Sequence, residues 1–476
     1  MTHSHTPSAH ALRPSHWTRQ QVSQIEGSDA IDFPHFDPQH VKVLMPGYDV
    51  WDNWYVLDEH NQIADVQGFR VLVALAASTD SFDETNLYYF YSRDGVHYHA
   101  GGKVFTTPLQ SGTQEWSGST ILRDDGTLQT FYTVVKESGD YSGRGQRRPQ
   151  GSQGMPTGMP PQTDGDGDGD AQAPTGQAPG QQGQMSMMQN DQRLATAVQD
   201  VIVIGNRLSL AEPRYHAILA VPDGQYYQTM TQASERETLF PTSSVTGSTQ
   251  SNNFCFRDPH FFKDPADGRS YLLFEANTGS AVCPEGSVKR EYIGNATFEP
   301  DYTPTPDELK ANGCIGIAEL TNDGYTAVRF MPPLLTSNLV TDEIERVNLL
   351  KVKDDYYLFC IGRVSKMAMS CEALERSTFM LGFRSRALTG PYTPLNRHGV
   401  VIRQQSFSSD MMNSADTQSV YSFLLQPDLT VLTYAQYSTD TNGTLQKVRS
   451  AGPTLKLNIK GSRTQVGEVI YNILPA

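Results

Sequence analysis

Residues Asn86 to Phe105, NLYYFYSRDGVHYHAGGKVF, decide the fold class. An alternating aromatic run reaches Ser92, Arg93-Asp94-Gly95 follows, and a second alternating run leads away. Asp-Gly between two such runs is a hairpin signal, because glycine takes the positive φ of a tight turn and alternation puts every second side chain on one face. The same pattern recurs at Asp125-Gly126 within Ser119 to Val135, at Asp323-Gly324 within Cys314 to Phe330, and at Asp354-Asp355 within Val347 to Gly362. Phe69 to Ser78, FRVLVALAAS, is a continuous apolar run of buried-strand type. Helical signals are few and short: His16 to Glu26, and Thr305 to Gly313 with Asp307 and Glu308 in the first turn and Gly313 as the stop.

Many hairpins, few short helices and 476 residues exceed one sandwich. They predict an all-β closed radial array, a β-propeller, whose blades leave only short edges. Residues 1–40 read as an N-terminal tail with a short helix, and 41–476 as one propeller domain. Ser142 to Gln192 interrupts it without a single Phe, Trp, Tyr, Val, Ile or Leu, so it reads as a disordered insertion. Strands are expected to end near Val135 before it and to resume at Val198 to Gly205 after it. Its run DGDGDGD, Asp164 to Asp170, lacks the closing glutamate of a calcium loop and reads as solvated linker.

The net charge of −15 and pI near 5.2 oppose nucleic acid and anionic membrane as partners, whereas a neutral sugar meets no such barrier. The five cysteines form no CxxC pair. Either one bridge, Cys283 to Cys314, or free buried thiols fits. No apolar run reaches membrane-spanning length, and the N-terminus shows no hydrophobic region of signal-peptide type. The residues therefore leave a cytoplasmic site or an export route that they do not reveal.

Three acids stand in unusual frames. VWDNW, Val50 to Trp54, sets Asp52 between two of the four tryptophans. FRDPHF, Phe256 to Phe261, sets Asp258 between Arg257 and Pro259 among aromatics. TDEIERVN, Thr341 to Asn348, sets Glu343 and Glu345 beside Arg346; if extended, the two glutamates share a face and repel, raising one pKa as a general acid needs. Taken singly, Arg-Asp-Pro also reads as a turn with a local ion pair, and Asp-Glu-x-Glu-Arg as a solvated strand edge. Together they are the inventory of glycoside chemistry. No GxSxG, Walker A or GxGxxG supports acyl transfer or a nucleotide cofactor.

These frames, with QEWSGS (Gln114 to Ser119), YLLFEANTG (Tyr271 to Gly279) and GRVSKM (Gly362 to Met367), resemble glycoside hydrolase family 68, the sucrose-cleaving fructosyltransferases. The six motifs run in family order through nearly the whole chain. The resemblance implies a five-bladed β-propeller with a central acidic pocket. It also implies retaining fructosyl transfer from sucrose through a covalent fructosyl-enzyme to β-(2,6)-fructan, short acceptors or water, as in levansucrases. Inulosucrases and hydrolytic invertases use the same acids, and a non-catalytic carbohydrate-binding propeller is the alternative outside enzymes. Asp52 matches the nucleophile, Glu345 the general acid/base and Asp258 the stabiliser of the fructosyl hydroxyls. Trp51 and Trp116 match pocket walls, Ser117 a partner of the nucleophile, and Arg257, Glu343, Arg346 and Arg363 the sugar subsites. Glu275 matches a supporting carboxylate and Tyr421 a pocket tyrosine. Implied partners are sucrose and fructan or oligosaccharide acceptors, with no nucleic acid or membrane, a monomeric state, and an extracellular or periplasmic location. Gram-positive members hold a structural calcium. Here Asp342 and Asn312 match ligand positions, but Asn252 replaces a carboxylate and Lys310 can supply the charge, so no cofactor is expected. Val347-Asn348 stands where many Gram-negative relatives have Pro-His.

Overall fold

The computed structural model describes residues 13–27, 31–136, 190–239, 254–284, 289–294, 299–405 and 415–476. The chain forms two compact units, Met1–Glu137 with Gln189–Ala476, and Ser138–Met188. The second lies outside the described residues, and with it nearly all of the expected insertion.

The first unit is a five-bladed β-propeller. Its blades are five sheets, each built on four antiparallel strands in chain order. Blade I holds β1 (Tyr48–Tyr55), β2 (Arg70–Ser78), β3 (Ser81–Ser92) and β4 (His97–Lys103). Blade II holds β5 (Thr113–Leu122), β6 (Leu128–Lys136), β7 (Asp191–Gln199) and β8 (Tyr215–Ala220). Blade III holds β9 (Phe256–Lys263), β10 (Ser270–Asn277), β11 (Gly313–Leu320) and β12 (Val328–Thr336). Blade IV holds β13 (Glu345–Val352), β14 (Asp355–Arg363), β15 (Ser377–Ser385) and β16 (Val400–Gln405). Blade V holds β17 (Val420–Leu425), β18 (Thr430–Ala435), β19 (Thr454–Lys460) and β20 (Arg463–Ile470). The first strand of each blade touches the first strands of both neighbours, and the ring closes between β17 and β1. These five strands therefore surround the axis.

The sequence signals have local causes. In the Arg93-Asp94-Gly95 turn, Asp94 Oδ1 accepts from the Val96 and His97 N–H groups at 2.8 Å each, and Gly95 takes φ +74°. The apolar run Phe69 to Ser78 becomes β2, whose seven central residues are all buried between neighbouring strands and blades. Leu474 and Pro475 pair in parallel with His97 and Tyr98, so the C-terminal segment completes the outer edge of blade I.

Several elements differ from expectation. The stretch from Ser15 onward is docked and does not hang as a tail: Ser15 and His16 pair with Leu335 and Thr336, and buried Trp17 donates through Nε1 to His398 C=O at 2.8 Å. Strand pairing at His16 shortens the expected helix to α1 (Arg19–Val22), capped by Thr18. A second helix, α2 (Met230–Leu239), escaped notice because its residues are largely polar, although Thr229 and Gln232 form a reciprocal cap at its start. α3 (Pro306–Lys310) has Asp307 and Glu308 in its first turn as expected, opens on a Thr305–Glu308 capping box, and ends before Gly313. Gly313 instead opens β11, where a Cβ would lie 2.9 Å from the Asp342 backbone. Val198 to Gly205 is not one strand: β7 ends at Gln199, and a separate hairpin pairs Val201–Ile204 with Arg207–Leu210. None of the five cysteines is in a disulfide, and Cys283 accepts from Arg236 Nη2 at 3.7 Å where a bridge to Cys314 was one reading.

The expected insertion ends too late. Gln192 lies inside β7, is buried, donates to Phe254 C=O at 3.1 Å and accepts from Phe256 N–H at 3.0 Å, thus holding the start of the FRDPHF strand. Deleting residues 142–188 with a short linker is expected to leave the melting temperature unchanged. Extending the deletion through Gln192 should cost about 2 kcal/mol or more through two orphaned buried groups; calorimetry of the two deletions separates them.

Glu115 of β5 reaches blade I, where its Oε2 accepts from Leu87 N–H at 2.9 Å. Burial pushes this carboxyl up to about 7, against the pull of the Leu87 N–H and of Lys103. The unfolded carboxyl ionises near pH 4.5. Stability therefore falls as pH rises from there to about 7, since only the unfolded state releases its proton in that window. Glu115→Gln should stabilise the protein at pH 8 by up to about 3 kcal/mol and change little at pH 4, read from denaturant titrations at both pH values.

Candidate active site

Each strand around the axis carries a break in its ladder. The breaks fall between Trp51 and Trp54, Trp116 and Gly118, Arg257 and His260, Glu345 and Asn348, and Tyr421 and Leu424. An extra residue at each break turns the chain out of the pleat and re-aims its side chain. Asp52, Asp258, Arg346 and Ser422 sit within these breaks at φ +46°, +58°, +53° and +68°. Such values cost a non-glycine residue about 1 kcal/mol or more, so neighbouring contacts must hold them. At Gly118 the next blade strand comes so close that a Cβ would meet Phe131 C=O at 1.9 Å, which explains the glycine in QEWSGS.

The three acids come together across blades. Asp52 Oδ2 accepts from Ser117 Oγ at 2.9 Å. Asp258 Oδ2 accepts from the Arg346 N–H at 3.3 Å, and the Arg346 guanidinium donates to Asp52 C=O at 3.3 Å and Asn53 C=O at 2.9 Å. Glu345 Oε1 accepts from Arg257 Nη2 at 2.9 Å, and its Oε2 accepts from the Tyr421 hydroxyl. Burial pushes the Asp258 carboxyl up to about 6; Arg257 and Arg346 oppose this, while Asp52 and Glu345 add like charge.

Arg257 is shared among three carboxylates. Nε donates to Glu275 at 2.7 Å, and Nη2 reaches Glu343 at 3.1 Å as well as Glu345. Glu343 also receives Arg363 Nε at 2.7 Å and lies 3.8 Å from Lys366 Nζ. Burial alone would raise the Glu343 carboxyl, but Arg363, Lys366 and Arg257 outweigh it and hold the group well below the usual range. Glu343 thus does not act as the unscreened like charge expected beside Glu345. It precedes β13, and the Arg257 guanidinium contacts both carboxylates. Fully buried Glu275 is pushed up by burial and by Glu345 and Glu343, with Arg257 opposing.

Trp51 and Trp116 are the chain neighbours of Asp52 and Ser117. Trp51 is buried under the Arg449 guanidinium, 4.3 Å from its ring, and Arg449 is itself paired with Asp49 at 3.3 Å. Trp116 is partly exposed and donates through Nε1 to Gln114 at 2.9 Å. Asp52, Glu345 and Arg363 are also partly exposed, whereas Ser117, Arg257, Asp258, Glu275, Glu343, Arg346 and Tyr421 are buried. Hydrogen bonds and ion pairs therefore connect Asp52 with Ser117, Asp258 and Arg346, and Arg257 with Glu275, Glu343, Glu345, Arg363 and Tyr421, whereas Trp51 and Trp116 bond outside these groups. Sequence reading missed Arg449, Lys366 and Thr133; the SKM of GRVSKM was the available signal for Lys366.

Other expected positions are occupied differently. Asn348 is fully buried and donates to Leu425 C=O at 2.9 Å, joining blades IV and V. At the residues matched to calcium ligands by the resemblance, Asn312 Nδ2 donates to Gln228 at 3.0 Å and its Oδ1 accepts from Asn277 at 3.2 Å. Lys310 is buried, and Asn252 lies outside the described residues. An amide network and a buried ammonium fit a calcium site poorly. Among the described residues, Cys255, Glu275 and Glu343 present ligand-type atoms within 4.8 Å of one another, but two of the three are ion-paired to Arg257.

Arg257→Met leaves Glu275, Glu343 and Glu345 without their common counter-charge. The expected loss is about 3–5 kcal/mol, with Arg257→Lys recovering only part because one ammonium cannot fork to three carboxylates. Urea unfolding followed by circular dichroism measures both.

A profile of the levansucrase/invertase family matches residues 7–155 and 181–472. The levansucrase of Bacillus amyloliquefaciens is 30% identical over 483 residues, covering 95% of this chain and 88% of that protein. A Geobacillus stearothermophilus relative named an inactive levansucrase is 28% identical over 485 residues, covering 95% and 88%. The crystal structure of a doubly substituted Bacillus subtilis levansucrase in complex with oligosaccharides has a TM-score of 0.72 and 26% identity, covering 98% of each chain. A profile spanning nearly the whole sequence, on a five-bladed propeller shared with a solved relative, means that this chain belongs to the levansucrase/invertase family, glycoside hydrolase family 68.

Proposed function

We infer that this chain is a levansucrase, moving the fructosyl unit of sucrose to a growing β-(2,6)-fructan, to short acceptors or to water. The observation that carries the reading is the convergence of Asp52, Asp258 and Glu345 through hydrogen bonds to Ser117, Arg346, Arg257 and Tyr421. One member of the family is named inactive, so membership alone does not give turnover. The presence of all three acids in one constellation supports an active enzyme over a binding module.

In this mechanism an Asp52 oxygen attacks the anomeric carbon of the fructosyl unit. The bond from that carbon to the bridging oxygen breaks, and Glu345 gives its proton to that oxygen as glucose leaves. Glu345, now a carboxylate, takes a proton from an acceptor hydroxyl or water. The acceptor oxygen bonds to the anomeric carbon, the ester to Asp52 breaks, and the configuration is retained. Ser117 holds Asp52 in direction, and the indoles exclude competing water while offering the ring an apolar face. Asp258, anchored by the Arg346 N–H, receives fructosyl hydroxyls and does not attack.

Pure protein incubated with sucrose should release more free glucose than free fructose and form β-(2,6)-linked polymer by carbon NMR. Equal release marks a hydrolase, β-(2,1) polymer marks an inulosucrase, and sucrose bound but uncleaved leaves the binding module. Asp52→Asn should lower turnover by about 10⁴-fold or more while sucrose still binds. Retained turnover in that variant removes Asp52 as nucleophile.

A further inference from the structure

The break in β9 falls between the Arg257–Glu275 pair and the His260–Leu273 pair, leaving Asp258 and Pro259 outside the regular ladder to β10. Blade II supplies partners for the backbone of this stretch through two buried hydroxyls. Thr133 Oγ1, on β6, accepts from Asp258 N–H at 2.9 Å and donates to Ser117 C=O at 3.2 Å. Ser119 Oγ, on β5, donates to Pro259 C=O at 2.9 Å and accepts from Phe261 N–H at 2.9 Å. Each hydroxyl acts as both donor and acceptor, and Pro259 offers the ladder no N–H of its own.

Thr133 is fully buried, so any influence on a bound sugar must pass through the residues it holds. Those are the bulge that carries Asp258 and the bulge that carries Ser117, the hydroxyl partner of Asp52. The Ser117 whose carbonyl it binds donates its own hydroxyl to Asp52 Oδ2. The Asp258 whose N–H it binds sits at φ +58°. Asp258 then accepts from Arg346 N–H, and the Arg346 guanidinium returns to Asp52 C=O. The hydrogen bonds close a circuit through Asp52, Ser117, Thr133, Asp258 and Arg346, which spans blades I to IV. A bulge outside its ladder has alternative conformations, and a positive φ favours leaving. One hydroxyl bonded to both bulges opposes that.

We propose that Thr133 is a positioning residue for fructosyl transfer, its single hydroxyl fixing the Ser117 bulge against the Asp258 bulge and so the placement of Asp52 relative to Asp258. The inference rests on the reading of this pocket as a fructosyl-transfer site. Thr133→Val keeps the branched shape and orphans Asp258 N–H and Ser117 C=O. Thr133→Ser keeps the hydroxyl and loses a methyl.

The test uses full-length wild type and both variants, with initial rates of glucose release from sucrose at 25 °C, thermal melts and crystal structures. Thr133→Val is expected to lower kcat by about 10- to 100-fold with KM within about 3-fold, because misplacement acts mainly on the transition state. Thr133→Ser should keep kcat within about 3-fold even where its melting temperature falls. Equal kcat in folded Thr133→Val and wild type, or equal losses in both variants that follow their melting temperatures, overturns the proposal. If the valine variant does not fold, Thr133→Cys, a weak donor close to serine in size, takes its place with the same outcomes. A wild type that releases no glucose removes the pocket reading instead. The crystal structures then still decide: Asp258 should leave φ near +58° in the valine or cysteine variant and keep it in the serine variant, and an unchanged bulge overturns the positioning role.

Discussion

The site depends on a backbone constraint, the ladder break in each of the five strands that surround the axis. A regular strand would send Asp52 and Asp258 along the pleat, alternating between faces of their own blade. The extra residue turns them out of that alternation. The cost is left-handed backbone at Asp52, Asp258, Arg346 and Ser422, which no single blade stabilises by itself. Contacts from other blades hold three of them: Ser117 for Asp52, Thr133 for Asp258, and Asp258 and Asn53 for Arg346. The acids are therefore placed by the closure of the ring rather than by any local segment. Unit closure and site geometry are one requirement.

Electrostatics works within that frame. A buried carboxylate is costly unless paired, and this pocket gathers several. The sharing of Arg257 among Glu275, Glu343 and Glu345 links the blade III and blade IV inner strands through charge as well as backbone. Glu343 takes most of the remaining positive charge, from Arg363 and Lys366, and is held ionised. It behaves as part of the scaffold that anchors the arginines. Asp258 differs, since burial outweighs Arg257 and Arg346 and its carboxyl titrates upward. Carboxylates of one constellation are thus pushed in opposite directions by how many cations each meets.

Much of this was legible in sequence, and the limits have physical causes. Asp-Gly turns between alternating aromatic runs gave the strands, because turn chemistry and pleat period are local. VWDNW, FRDPHF and TDEIERVN gave the acids, since a carboxylate among aromatics is locally anomalous. The face-sharing argument for Glu343 and Glu345 misled because it treated an irregular approach to β13 as extended strand, and because Lys366 and Arg363 lie far along the chain. Gln192 was assigned to the insertion by composition, although its amide bonds both Phe254 and Phe256. Thr133 carried no signal at all: a threonine in a strand is ordinary, and only the neighbouring blade gives it its role.

The same geometry bears on how an acceptor would reach the site in the proposed transfer reaction. Glu345 is fixed on both oxygens, Oε1 by Arg257 and Oε2 by Tyr421. Its carboxyl cannot swing to follow an incoming hydroxyl without breaking one of these bonds. In the proposed transfer reaction, selection among acceptors falls to groups that border the open side, where the Arg363 and Glu345 side chains retain 26% and 15% exposure and Trp116 is partly exposed. Asn348 takes no direct part, because its amide is buried against Leu425 between two blades. A histidine at that position would lack the amide donor that spans to Leu425 and would have to be accommodated in a fully buried space. Under the proposed transfer reaction, whatever positions an acceptor does so from the exposed rim, over a donor side held by the inter-blade circuit.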